Sequence, residues 1–572
     1  MTKMSKYGER FWKKNWDEGL DDLDPSLWET SFSDSLKEVF EQVPDKAALA
    51  FQGKEFTFKQ LDQWSNQFAH MLIDNGFVKG DVVGINLANI PEYVISVIGT
   101  HKAGCIVSGV SPLLSDVQMH YQISDLGAGE KKVALVTLNA IFENRLKNIA
   151  DRLPDLKLVI ATSVIGCFSK EDQEKIRRVK EIPWGVVTPL EGKTVLDYWD
   201  DIIEKYPNTP VDIKADPGDI AYIQYTGGTT GPPKGAMLTH RNAVSDLIIV
   251  QRWVNWERGA GVALSGFPFF HIAGLFFCEN CLYLGWTQIL IPDPRDTMTI
   301  CNEMKKYKPT LLANVPSLYQ LLLNTKKFKR IDHSSIDIAV SAASPFPVES
   351  QKVLESIIGE GKLLEVYGMT ETSPLTTMNP YKKKKKLGSI GLPLPNTELK
   401  LVDPATNEEV PLGEPGEICV KGPQVMIGYY NKPEETAKAI DKDGYMHTGD
   451  VAIMDEEGYL RIVDRTKDMI IVGGYKVFSA KLEDTLTKHP AIGMIATIGL
   501  PNPDRPGSEI VKAFIQIDSE YEYDGNEEAL KEDIIKFAKE NCAPYEVPKI
   551  IEFSEELPLT TVGKIDKKVL RQ

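Results

Sequence analysis

Three things are missing from this sequence, and each removes a class of protein. Positive charge is not in excess: 65 Lys and Arg face 81 Asp and Glu, for a formal net charge of −16. General nucleic-acid binding draws on a basic face, so no nucleic-acid partner is expected. Framework cysteine is missing too. The seven cysteines, scattered from Cys105 to Cys542, are odd in number and irregular in spacing, which suits a reducing cytoplasm better than a disulfide scaffold. Cys278 and Cys281 form a lone C-x-x-C within an apolar stretch and read as buried core thiols. Third, no apolar run is uninterrupted. Residues 265–292 are broken by His271, Glu279 and Asn280 and fall short of a membrane span. The opening residues carry charges throughout, unlike a secretory leader. These absences exclude an integral membrane segment but leave room for peripheral contact with a membrane surface.

What is present is globular and large. At 572 residues with 42% hydrophobic and 26% charged side chains, the chain exceeds one core and predicts a large body with a smaller appended domain. Thr57 and Gln60 form a capping box before an apolar stripe of Leu61, Trp64, Phe68 and Leu72, with Gly76 at the helix exit. A strand-like run at 82–87, a helix opened by Pro91 and a strand at 106–110 make a βαβ unit, and runs at 133–137 and 158–162 continue the alternation. A second series has strands at 289–291, 310–313, 336–340 and 363–366, with helices at 317–324 and 348–358 between them. From about Gly388 the texture changes to short strands at 398–402, 416–421, 451–454 and 459–463 separated by Gly, Pro, Asn and Asp, a barrel-like antiparallel pattern. After Arg465, helices near 480–488 and 527–541 and strands near 492–498 and 511–517 predict a separate α+β domain. The expected fold class is therefore α/β: a large N-terminal domain (1–466) of two βαβ-type sheets plus a β-barrel-like subdomain, and a small C-terminal domain (467–572). The lysine run 382–386 reads as a solvated loop, with attraction of an anionic partner as the alternative.

The strongest local signal follows the strand ending at Tyr225. Thr226, Gly227, Gly228, Thr229, Thr230 and Gly231, then Lys234 and Gly235, combine flexible backbone N–H groups, hydroxyls and one cation, which suits a polyphosphate. It is not the usual nucleotide-kinase loop: Pro233 precedes the lysine and Gly235 follows it. Further along stand Phe269, Phe270 and His271; Tyr367, Gly368, Met369, Thr370 and Glu371; Thr448, Gly449 and Asp450; Asp464, Arg465, Thr466, Lys467 and Asp468, with Gly474; and Gly563 with Lys564 near the end.

In this order and spacing the motifs resemble those of the AMP-forming acyl-CoA synthetases, in the adenylate-forming superfamily with beetle luciferases and nonribosomal peptide synthetase adenylation domains. The resemblance covers essentially the whole chain. It implies an acid–thiol ligase that converts a carboxylic acid, ATP and coenzyme A into acyl-CoA, AMP and diphosphate through an acyl-adenylate, with Mg²⁺ as cofactor. By that resemblance Tyr367 stacks on adenine, Thr370 meets the α-phosphate and Glu371 helps hold Mg²⁺, a hard cation that prefers carboxylate oxygen. Asp450 and Arg465 take the ribose. Lys564 reaches the carboxylate and α-phosphate, where charge builds between two anions. Lys467 is the hinge on which the small domain moves, and Gly473 and Gly474 border the coenzyme A channel. His271, Val315, Ala342 and Gly368 border an acyl pocket, whose Phe/Leu-rich surroundings lean toward a medium- or long-chain fatty acid or a cyclic carboxylate. Read without the resemblance, His271 is a satisfied core histidine. One departure stands out: the family commonly has proline where Ser479 stands, and Ser479 is expected to cap the following helix instead.

Three other readings share these motifs. A carrier-protein adenylation domain would place an Asp where Phe270 or His271 stands. A luciferase-like oxygenase keeps every motif. A nucleotide-binding scaffold conflicts with the intact Glu371, Asp450, Arg465 and Lys564.

Overall fold

The computed structural model describes residues 6–203, 205–226, 232–473, 475–503, 505–506, 508–518, 521–523, 525–558 and 565–571. Two large sheets form the body. The first has eight strands, among them Val82–Asn86, Ile106–Gly109, Val133–Leu138 and Leu156–Thr162, paired in parallel as the βαβ reading requires. The second has nine, and its centre is a parallel run of Val262–Ser265, Leu311–Asn314, Ile338–Ser341 and Leu363–Gly368. These strands are buried throughout most of their length, as strands covered on both faces must be.

Local chemistry sets the helix ends. Thr57 and Gln60 close the expected capping box on Phe58–Asp74, and Gly76 takes φ +74° just beyond the helix. Ile272–Leu284 is buried along its whole length, so it needs no polar face and packs within the core. Among the described residues no helix is long and apolar enough to cross a membrane.

The barrel-like part is an antiparallel meander of Glu398–Val402, Pro415–Lys421, Met446–Met454 and Leu460–Arg465. Its last strand bridges to Gly391 through Leu460, rather than to the first strand. Beyond it, Ser479–Leu486 and Glu527–Asn541 pack on the sheet of Ile492–Pro501, Glu509–Ile517 and Ile550–Phe553. This unit has its own apolar core, including Val477, Leu482, Ile495, Val511 and Ile534.

Lysines 382–386 are only partly a solvated loop. Lys386 is held by Asp455 at 2.6 Å and by Glu457, and the Lys385 ammonium donates to the Gly361 carbonyl, while Lys382, Lys383 and Lys384 are exposed.

Candidate active site

The glycine–threonine segment is the tip of a hairpin. Ile220–Tyr225 pairs antiparallel with Gly235–Thr239, with Tyr225 opposite Gly235. The Thr226 N–H donates to the Lys234 carbonyl at 2.9 Å, so these two residues are the posts of the loop. Gly227, Gly228, Thr229, Thr230 and Gly231 lie outside the described residues. Gly235 is required by packing, because a Cβ there would stand 2.6 Å from Ile223 Cγ2.

Lys234 is aimed by residues that its local sequence does not announce. Its ammonium is 3.1 Å from Glu435 Oε2 and sits 4.4 Å from the ring centroid of Tyr429. Tyr429 belongs to the short strand Gly428–Tyr429, which pairs with Gly235–Thr239 and so brings the ring beside the loop. The Tyr429 hydroxyl donates to Glu371 Oε1 at 2.7 Å. Sequence reasoning found Lys234 and Glu371 but missed Tyr429 and Glu435.

Glu371 owes its position to a sharp reversal after Leu363–Gly368. The strand folds back onto Leu375–Met378, with a register shift at Tyr367 and Gly368. A Cβ on Gly368 would fall 1.7 Å from the Pro374 carbonyl oxygen, so only glycine allows the two backbones this close. Thr372 Oγ1 donates to Pro374 O at 2.6 Å and accepts the Met369 N–H at 3.1 Å, fixing the turn. Thr370 and Glu371 are both buried there. Burial pushes the Glu371 carboxyl above the usual carboxylate range, against the Tyr429 hydrogen bond and the Lys234 charge. A buried carboxylate under that strain fits a divalent cation, which would restore the charged form.

On the other side of this turn lies Asp450. Asp450 is the register partner of Arg465, and Arg465 Nε is 3.0 Å from Asp450 Oδ1. The second oxygen accepts the Tyr367 hydroxyl at 2.7 Å. A bulge in Met446–Met454 aims this carboxylate. Gly449 takes φ +73° and donates its N–H to Glu417 Oε1 at 2.9 Å, and the Thr448 hydroxyl donates to Ile418 O at 2.9 Å. Glu417 is a further residue that no motif flagged.

The four positions expected at the acyl pocket share one edge of a sheet for a topological reason. Val315, Ala342 and Gly368 stand at or just past the C-terminal ends of three adjacent parallel strands, and His271 follows the fourth, Val262–Ser265. Ligands of open α/β sheets bind at that edge. His271 caps Ile272–Leu284: its Nδ1 accepts the Ala273 N–H at 3.3 Å. Asp246 was also missed. It is fully buried, its Oδ2 accepts the Leu375 N–H at 2.9 Å, and burial pushes its carboxyl well above the normal range.

Toward the small domain, Lys467 is half-buried and its ammonium is lowered to about 8, first by burial and then by the neighbouring Arg465 charge. Gly473 takes φ +59° and donates to Ser508 Oγ at 2.8 Å. Gly474 and Lys564 lie outside the described residues. The expected Ser479 cap is corrected. Ser479 is the first residue inside its helix, and Phe478 at the capping position makes no side-chain bond. The capping carboxylate is supplied by Asp464, which accepts the Ser479 N–H and, at 3.0 Å, its hydroxyl. A helix start whose N–H groups find a carboxylate elsewhere needs no cap of its own. Lys567 then donates to Ser479 Oγ at 2.8 Å and pairs with Glu483 at 2.8 Å, and Arg571 pairs with Asp468 at 2.7 Å.

Against known proteins, residues 36–430 match the family model described as AMP-binding enzyme, and residues 481–564 match AMP-binding enzyme C-terminal domain. A long-chain-fatty-acid–CoA ligase of Escherichia coli O6:H1 is 36% identical, covering 94% of both chains. One of Bacillus subtilis strain 168 is 38% identical, covering 92% of this chain and 91% of the relative. Among solved structures, an anthranilate CoA ligase in complex with anthranoyl-AMP superposes with a TM-score of 0.81 at 26% identity, covering 96% of this chain and 98% of that one.

Proposed function

Because this chain belongs to the AMP-binding enzyme family and is an AMP-forming acyl-CoA synthetase that binds ATP and AMP, we propose that its acid is a medium- to long-chain fatty acid. The observation that carries this is the identity to ligases named for long-chain fatty acids over more than nine-tenths of both chains. The fully buried helix Ile272–Leu284 behind His271 supports it, since an apolar wall suits an alkyl tail.

In the first step a carboxylate oxygen attacks the α-phosphorus of ATP, a P–O bond forms, and the bond to pyrophosphate breaks. The task of the protein is positioning and charge neutralisation. Thr226 to Lys234 hold the β,γ end, Lys234 supplies positive charge, and Thr370 meets the α-phosphate. Asp450 and Arg465 take the ribose hydroxyls, with Tyr367 against adenine. Lys564 bridges the acid and the α-phosphate. Glu371 would hold Mg²⁺, which when bound offsets phosphate charge. In the second step the sulfur of coenzyme A attacks the acyl carbon: a C–S bond forms, the acyl C–O bond to phosphate breaks, AMP leaves and the thiol proton passes to solvent. For this the small domain, residues 467–572, turns on Lys467, withdraws Lys564 and brings Gly473 and Gly474 beside the incoming pantetheine arm.

Two experiments test these claims. A panel of carboxylic acids assayed for AMP release should show kcat/KM highest for C12–C18 acids (about tenfold or more over benzoate, anthranilate and acetate); a preference for the aromatic acids overturns the substrate assignment. Lys564→Ala should abolish ATP–pyrophosphate exchange while thioester formation from supplied acyl-AMP survives. Equal loss of both half-reactions overturns the division of labour.

A further inference from the structure

Cys419 and His447 face each other across antiparallel strands of the meander that also carries Asp450, as direct register partners. Glu417 lies two residues before Cys419 on the same strand, so alternation sends both side chains to one face. Three kinds of donor atom meet there. Cys419 Sγ is 3.5 Å from His447 Nδ1, and that nitrogen is 3.1 Å from Glu417 Oε2. One donor atom from each residue lies within 4.8 Å of the other two. Cys419 and Glu417 are buried, while the His447 ring is 19% exposed and leaves an approach from solvent.

We propose that Glu417, Cys419 and His447 form a binding site for a borderline-soft divalent metal ion of the zinc class, with water as the fourth ligand. Tetrahedral zinc, with bonds of about 2.0–2.3 Å, keeps neighbouring ligand atoms roughly 3.3–3.8 Å apart, close to the 3.5 Å and 3.1 Å that His447 Nδ1 already makes with Cys419 Sγ and Glu417 Oε2. A mixed sulfur, nitrogen and oxygen set selects zinc or cobalt over magnesium or calcium. The surroundings also fit. Asp441 Oδ2 lies 3.9 Å from the other ring nitrogen, Nε2, beyond hydrogen-bond reach but near enough to orient the imidazole after a small ring movement. Glu417 Oε1 is engaged by the Gly449 N–H, which leaves Oε2 for the ion. Lys400 pairs with Cys419 from the opposite strand and its ammonium stacks over Tyr445 at 4.2 Å. Burial and the Glu417 carboxylate push the Cys419 thiol well above its usual range; the Lys400 charge acts the other way and also opposes a cation. Binding exchanges the Cys419 S–H proton, released to solvent, for a metal–sulfur bond, and no electron is transferred.

The same carboxylate that would bind the ion pins Gly449, the residue before Asp450. Metal loading therefore stiffens the turn that presents the ribose carboxylate.

The test uses the full chain, stripped with chelator, dialysed and titrated with Co²⁺ alone. One equivalent should produce a thiolate-to-cobalt charge-transfer band that Zn²⁺ displaces, and Zn²⁺ should raise the melting temperature. Cys419→Ser should abolish the band, and His447→Gln should weaken Co²⁺ binding by about 100-fold; melting curves of both variants check that they fold. Absence of the band in the unaltered chain, or its survival in both variants, overturns the site.

Discussion

Tyr367 donates its hydroxyl to Asp450 at 2.7 Å, tying the last parallel strand of the nine-stranded sheet to the antiparallel meander. The residue expected against adenine thus also orients the carboxylate expected at the ribose, before any nucleotide arrives. Tyr367→Phe should raise the KM for ATP by about 3–10-fold with little change in kcat, as loss of one hydrogen bond does. Asp450→Ala, which also strands Arg465, should raise it by about 10–100-fold. ATP–pyrophosphate exchange measures both, and equal effects of the two substitutions would contradict this arrangement.

The chain of contacts Glu435–Lys234–Tyr429–Glu371 links the loop expected to hold phosphate to the buried carboxylate. Tyr429→Phe removes a hydrogen bond to a charged group, worth about 1.5–3 kcal/mol. The expected result is a fall in kcat/KM for ATP of about tenfold or more and a higher Mg²⁺ concentration at half-maximal rate. An unchanged Mg²⁺ dependence would remove Tyr429 from the site.

Several buried carboxyls are pushed upward, chiefly by burial: Glu92 and Glu365 to about 7, Glu279 to about 8 and Asp464 to about 6. A carboxyl raised in the folded state binds its proton more tightly there than in the unfolded chain. Its contribution is complete below the unfolded value near 4 and is lost as pH rises through the folded value. The melting temperature should therefore fall as pH rises from about 4 to about 8. Glu279→Gln, which keeps an acceptor for Tyr222, should flatten the upper part of that decline by a few degrees. Thermal unfolding across pH in wild type and variant decides it.

Gly368→Ala places a methyl group 1.7 Å from the Pro374 carbonyl oxygen. Backbone cannot move aside as a flexible side chain can, so the hairpin before Thr370 and Glu371 must open. The expectation is a destabilisation of about 1–3 kcal/mol or more together with loss of adenylation. Retained activity with an unchanged melting temperature would mean the turn relaxes freely.

Much of the fold was legible. The capping box at Thr57, the proline opening Pro91–Lys102 and the short parallel strands are local signals, and the helices Val348–Ile358 and Glu527–Asn541 lie where periodicity placed them. Ser479 was misread because capping was judged from the nearest side chain. The acceptor actually used, Asp464, is 15 residues earlier in the chain.

The sequence by itself determined which elements form, their order, and the residue types along the C-terminal edge of the strands, because propensity, capping and alternation act over a few residues. Only the tertiary structure decided the partners. Lys234 meets Glu435 across 201 positions, Tyr429 meets Glu371 across 58, and Cys419 meets His447 across 28. Those separations are set by strand order and register. A side chain carries no mark of the strand that will be laid beside it, so such pairings exist only once the sheets have assembled.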